Sequence, residues 1–313
     1  MADLTCGIDI GGTKIAGAVV DGDGQVVADA QVESPAADAG AMGAAVAGLV
    51  GDLVGDHPVV AVGVGAAGYV SADRSTVLFA PNIAWRNERF GEDLADRTGL
   101  PVVVENDANV AAWGEFRYGA GRDVDDQLMV TVGTGVGGGV VLDGRLVRGG
   151  FGVAAEIGHL CVVPDGRPCG CGNRGCLEQY ASGTALVRTA RAAAADSLLA
   201  ADLLERAGGD AAQITGPMIT EAAQAGDRFA IEQFDEIGRW LGHGLASLVA
   251  VLDPAVIVVG GGVSAAGDLL LEPTNASFER ELTGRGYRPR AEIRPAELGN
   301  RAGMIGAADL ARD

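Results

Sequence analysis

Hydrophobic positions in the first thirty residues come in short blocks cut by tight turns: LTCGIDI, then Gly11 and Gly12, then KIAGAVV, then DGDG, then QVVADAQV. Blocks of this length, punctuated by glycine and aspartate, predict a meander of three strands. An Ala-rich stretch of helical periodicity follows from about Asp38 to Asp56, and VVAVGVG then reads as a buried strand. Next come a long irregular loop containing Pro81 and Asn82, a helix over ERFGEDLADRTG and a strand over PVVVEN. Asp107 opens the helical run DANVAAWGEFRYG, with Gly119 placed to close it.

The pattern then restarts. From Leu128 the chain reads LMVTVGTGVGGGVVLDGRLV, again strand, glycine turn, strand, DG turn, strand, echoing residues 4–27. This marks a duplicated half, with a Cys-rich segment inserted after the second meander. Helical periodicity runs from about Leu177 to Leu252, broken near Gly208 and Gly216; the buried strand AVIVV then enters Gly260, Gly261 and Gly262, and Ala302 to Arg312 reads as a terminal helix. Two meander-plus-helix halves with facing glycine turns describe an α/β chain of the actin-like ATPase (ribonuclease H-like) fold, two domains with ligands in the cleft between them. The expected domains are 1–118 plus 298–313, smaller and closed by the C-terminal helix, and 119–297, larger and carrying the Cys-rich segment.

Charge narrows the class of partner. In 313 residues, 42 acidic against 23 basic side chains leave a formal charge of -19. Such a field repels nucleic acid and anionic membranes, which leaves a small-molecule ligand as the expectation. The longest apolar stretch, LASLVAVLDPAVIVVGGGVS, is interrupted by Asp253 and Pro254, so no membrane span and a cytoplasmic location are expected. Arginine carries nearly all the positive charge; the only lysine is Lys14, inside the first glycine turn. Compositional drift toward Arg explains the missing lysines but not the one retained, where a cation beside a phosphate-cradling loop is a reason.

Residues 156–178, EIGHLCVVPDGRPCGCGNRGCLE, gather a metal-ligand set. His159, Cys169, Cys171 and Cys176 supply one imidazole and three thiolates, the ligand count of a closed tetrahedral zinc centre. A disulfide pair is the alternative, which five Cys in all and no secretory signal disfavour. Glu156 and Glu178 flank the knuckle, and a purely structural zinc has no need of them. Cys6 and Cys161 lack the spacing and read as small buried residues; His57 and His243 read as structural.

Three glycine turns suit phosphates. In DIGGTK, Asp9 ends a buried strand; Gly11 and Gly12 let backbone N–H groups approach phosphate oxygens, Thr13 can donate, and Asp9 can hold Mg²⁺ through water. An ordinary hairpin turn would need one glycine. GTGVGGG mirrors it with Thr134 and Gly135, and GGGVS, with Gly261 and Gly262, suits the nucleoside end of ATP. GVGAAG at 63–68 fits a dinucleotide fingerprint but is not followed by a helix, and reads as a loop near the substrate ending at Gly68. A Walker motif is absent, and the sequon at Asn275 has no meaning in a cytoplasmic protein.

ENDAN at 105–109 holds the candidate base. Asp107, where strand becomes helix, is expected at a cleft and ionised by the helix N-terminus, able to accept a hydroxyl proton during phosphoryl transfer. The competing reading is that Asn106 or Asp107 merely caps the helix.

DIGGTK, ENDAN, GTGVGGG, EIGH, CGCGNRGCLE and GGGVS, in this order and over nearly the whole chain, resemble the ROK family of bacterial sugar kinases and sugar-responsive repressors, especially glucokinases of actinobacterial type. The resemblance implies ATP with Mg²⁺, a zinc ion, and glucose or a related hexose (mannose, fructose or N-acetylglucosamine) in the interdomain cleft. It implies Asp107 as general base, Asn106, Glu156, His159 and Glu178 as sugar contacts, zinc on His159 and the three cysteines, and a homodimer or homotetramer. The repressor branch carries a helix-turn-helix before its first glycine turn; eight residues precede Asp9 here, so DNA binding is not expected. A sugar-sensing protein without catalysis is the rival reading.

Overall fold

A computed structural model describes residues 3–55, 57–81 and 83–312. The first meander forms as β1 (Leu4–Ile10), β2 (Lys14–Val20) and β3 (Val26–Glu33), followed by α1 (Ala39–Val54) and β4 (Val59–Ala66). Asp38 caps α1 by accepting from Ala41 N. The stretch read as an irregular loop contains instead a small antiparallel sheet of β5 (Tyr69–Val70), β6 (Val77–Phe79) and β7 (Arg86–Glu88). These strands are too short to show an alternation; Asn82 and Asp56 lie outside the described residues. Then come α2 (Phe90–Thr98), β8 (Val102–Asn106) and α3 (Asp107–Tyr118).

The sheet order is β3-β2-β1-β4-β8. Both β1 and β4 are buried along most of their length and read as continuous apolar runs, whereas β3, at the edge, alternates half-buried and exposed positions. The core holds Ile8, Ile10, Val62 and Val64 from the sheet with Met42, Leu49, Trp85 and Phe90 from the layer over it.

The second meander repeats the plan with β9 (Gln127–Val132), β10 (Val136–Leu142) and β11 (Arg145–Leu146), the last two joined through left-handed Asp143 and Gly144. After the Cys-rich segment come α4 (Glu178–Ala181), α5 (Gly183–Ala194), α6 (Ala201–Arg206), α7 (Gly216–Gln224), α8 (Arg228–Leu252), β12 (Val256–Gly260), α9 (Asp268–Glu281), β13 (Glu292–Pro295) and α10 (Ala302–Leu310). The order β11-β10-β9-β12-β13 is the first sheet's order over again, the duplication of the actin-like ATPase fold. Asp253, left-handed, stops α8 before β12 begins, which splits the longest apolar stretch into a helix and a strand. No helix among the described residues is long and apolar enough to cross a membrane.

Compactness divides the chain into unit 1, residues 1–129, 138–155 and 296–313, and unit 2, residues 130–137 and 156–295. This places 119–129 and 138–155 with unit 1, where the sequence boundaries put them with the second domain. In unit 1, α10 lies directly on β1 and β4 because both strands offer glycine: a Cβ on Gly7 or Gly63 would fall 1.8 Å from the carbonyl oxygen of Met304 or Ala307.

Candidate functional site

In unit 1 the chemistry lies where β1 and β8 end. Gly11 N donates to Lys14 O (3.0 Å) and closes the DIGGTK turn, leaving Gly12, Thr13 and Lys14 exposed. Asp9 stands below them, so close to α10 that a Cβ on Gly303 would lie 2.8 Å from its carboxylate. Burial, then repulsion from Asp107, pushes its carboxyl up to about 7, against the pull of Lys14. Two carboxylates and an ammonium thus share one neighbourhood beside an open glycine turn. The donor set, hard carboxylate oxygens, fits Mg²⁺.

Asn106 decides the capping question. Its Oδ1 accepts from Ala108 N (2.9 Å) and Asn109 N (3.1 Å), and its Nδ2 donates to Gly68 O (3.1 Å). The Asn106 side chain also hydrogen-bonds the Asp107 carboxylate. With Asn106 as N-cap, Asp107 is the first residue of α3, half-buried, and its carboxylate accepts from the backbone of the same turn. Hydrogen bonds at the start of α3 do favour the ionised form of Asp107, but they are not the largest influence on it. Desolvation raises its carboxyl above the usual range, outweighing hydrogen bonds from the Ala108 and Asp107 backbone and the Asn106 side chain. A carboxyl raised in this way holds a proton more tightly than a free aspartate does.

Sequence reading missed the group that holds this turn. Glu105, 1% exposed, accepts from Asn106 N (2.9 Å) and Asn109 Nδ2 (3.1 Å), and pairs with Arg148 Nε (2.5 Å). Arg148 also donates to Ser71 O and Ala72 O (both 3.1 Å), which ties the loop after β5 to the turn at 105–107. Arg148 lies 43 positions from Glu105, and no local spacing marks the pair.

In unit 2 the second glycine turn is built from its surroundings. Gly183 N donates to Gly133 O (2.8 Å) and Thr184 Oγ1 to Thr134 O (2.7 Å), so the start of α5 grips the turn. A Cβ on Gly135 would lie 2.3 Å from Glu178 Oε2, which accepts from Val136 N (3.3 Å). Thr134 and Gly262 line a cavity of about 1110 Å³ with Thr184, Arg188 and Pro217. Gly261, φ +88, rests on Val132, where a Cβ would meet the carbonyl oxygen at 2.5 Å; GGGVS passes into a short 3₁₀ turn, Gly262–Ala266, before α9.

The knuckle adjoins this turn. Ligand atoms of His159, Cys169, Cys171 and Cys176 all lie within 4.8 Å of one another, the one such cluster among the described residues. Tetrahedral zinc, with Zn–S of about 2.3 Å and Zn–N of about 2.0 Å, requires ligand separations of about 3.6–3.8 Å. Cys169 Sγ lies 3.6 Å from His159 Nδ1, and Cys171 Sγ lies 3.7 Å from Cys176 Sγ, so the residues fit the ion. Nδ1 faces the thiolates, which leaves Nε2 for another partner. Glu178 Oε1 is 3.8 Å from Cys169 Sγ, so one carboxylate touches both knuckle and glycine turn. Glu156 is exposed, and its carbonyl accepts from His159 N (3.0 Å). Cys6 is buried as expected, but Cys161 is exposed: it stands on a short bridge at the edge of the knuckle, not in a core.

The ROK family model matches residues 5–313. A glucokinase of Streptomyces coelicolor is 50% identical over 311 residues, covering 99% of this chain and 98% of the relative. Among solved structures, a ROK family glucokinase from Streptomyces griseus in complex with glucose and AMPPNP superposes with a TM-score of 0.90 at 52% identity, covering 99% of both chains. The ROK hexokinase of Thermus thermophilus follows at 0.80 and 35%, covering 99% of this chain and 98% of that one.

Proposed function

From the premise that the chain belongs to the ROK family, we propose that it is an ATP-dependent glucokinase, transferring the γ-phosphate of ATP to the 6-hydroxyl of glucose in cytoplasmic sugar metabolism. The near full-length identity to a glucokinase carries this reading. Its chemical support is Asp107, the first residue of α3, whose carboxyl is raised by burial.

Asp107 accepts the hydroxyl proton at a carboxylate oxygen while the sugar oxygen attacks the γ-phosphorus and ADP leaves. Asn106, Glu156, His159 and Glu178 are assigned to the sugar, with Gly68 in the loop that Asn106 holds. Backbone amides at Gly11, Gly12 and Gly135, with Thr13, Lys14 and Thr134, are assigned to the phosphates; Gly261 and Gly262 are assigned to the nucleoside end, supported by the cavity that Gly262 lines. Mg²⁺ held near Asp9 through water would offset phosphate charge. Zinc on His159, Cys169, Cys171 and Cys176 would hold the imidazole and neighbouring carboxylates in place. The domains assigned to these roles are 1–118 plus 298–313 and 119–297, in a homodimer or homotetramer.

ADP production by the purified protein, with glucose, mannose, fructose and N-acetylglucosamine compared, tests the proposal. Glucose is expected to give the highest kcat/KM. Another hexose ahead of it would reassign the substrate, and no ADP with any of them would leave a sugar sensor.

A further inference from the structure

Cys161 belongs to neither the zinc set nor a core. It faces Cys176 across an isolated antiparallel bridge. Hydrogen bonds from Val162 N to Gly175 O and from Leu177 N to Leu160 O (both 2.8 Å) flank the bridge, so the two cysteines form a non-hydrogen-bonded pair. In such a pair the Cα atoms are about 4.5 Å apart, with side chains close together on one face. A disulfide spans about 4.4–6.8 Å between Cα atoms, so this pair can be bridged with little backbone movement. Exposure separates the roles: Cys176 is 0% exposed and closed to solutes, whereas Cys161 is open to them.

We propose that Cys161 is an oxidative modification site for hydroperoxides, and that its disulfide with Cys176 strips one ligand from the zinc centre; this rests on the zinc reading given above. The Cys161 sulfur attacks one peroxide oxygen and the O–O bond breaks. Hydrogen peroxide is thereby reduced to water and Cys161 becomes a sulfenic acid, two electrons having left sulfur. The Cys176 thiolate then attacks that sulfur: the S–S bond forms, the S–O bond breaks, and the hydroxyl leaves as water with one solvent proton. His159, Cys169 and Cys171 remain, one short of a closed site, and the ion is lost. Because Glu178 and His159 contact Cys169, oxidation loosens the residues assigned to the sugar.

The test begins with zinc content, measured on reduced wild-type protein and on Cys161→Ser. Both are then treated with hydrogen peroxide in the presence of a chromophoric zinc chelator, and peptides are mapped without reduction. The wild type is expected to release zinc together with a Cys161–Cys176 linked peptide, and to recover with dithiothreitol and added zinc. Cys161→Ser should retain its zinc and basal activity and release the metal at least about tenfold more slowly, because the remaining thiols are buried or held on the ion. Equal release from the variant, or a disulfide among Cys169, Cys171 and Cys176 only, would overturn this inference and leave the zinc reading standing. A reduced protein without zinc would overturn both.

Discussion

The two glycine turns occupy equivalent places in two sheets of the same strand order, yet they are built on opposite principles. DIGGTK is electrostatic: an open turn with Asp9, Asp107 and Lys14 around it, both carboxyls raised by burial and that of Asp9 also by repulsion from Asp107. GTGVGGG is steric: its backbone is gripped by Gly183 and Thr184, Glu178 is pressed against Gly135, and Thr134 borders a large cavity. Duplication supplied one backbone device twice. Charge was then concentrated in one copy and shape in the other, which suits a reaction that must handle a proton and a metal at one place and hold a nucleotide at another.

Removing the metal breaks the comparison most severely. Stripping zinc, or Cys171→Ser, should abolish glucose binding while ATP binding survives, as calorimetry on both ligands would show. Undiminished sugar affinity would mean that the knuckle is a structural clip and His159 has one role. Asp107→Asn addresses the electrostatic turn alone. We expect kcat to fall by on the order of 10² to 10⁴ with sugar affinity and melting temperature kept; a variant with half the wild-type kcat would remove Asp107 from the chemistry.

Lys14→Ala is a smaller change in the same turn. It should raise KM for ATP or lower kcat by several-fold and leave glucose affinity as it was, in keeping with an exposed cation beside phosphate. Unchanged ATP kinetics would show that backbone amides carry the phosphates unaided. The smallest effect concerns Asp9 and stability. Its folded carboxyl is raised, from 3.8 to about 7, so the folded state holds the proton more tightly than the unfolded chain, and this group's contribution is present at acid pH and lost as pH climbs through that interval. Asp9→Asn should therefore melt higher than wild type at pH 8 without nucleotide or magnesium, with the gap closing toward pH 4. A gap independent of pH would show that Asp9 is not strained.

Much of this was legible because the signals are local. Strand blocks, DG turns and the His159–Cys176 spacing each lie within a short stretch of chain, and backbone sterics or ligand number constrain them directly. The second meander was recognisable for the same reason, although β11 has only two residues against eight in β3. The strands β5 to β7 stayed hidden because they are too short to alternate. Cys161 was misread because a lone cysteine is usually buried, and only its exposure in the folded chain shows otherwise.

What the sequence determined by itself is the inventory: two meanders of one order, three glycine turns, a tetrahedral ligand set, and a carboxylate at the junction of β8 and α3. Tertiary structure decided how that inventory is used. The Asn106 amide that caps α3 is held from Gly68, 38 positions away. Asp107's proton affinity depends on desolvation, which no neighbour in sequence supplies, and the turn's rigidity depends on Glu105 meeting Arg148. Capping and chelation are short-range and follow from spacing; pKa values and buried ion pairs are sums over everything that excludes water, and only the folded chain sets that sum.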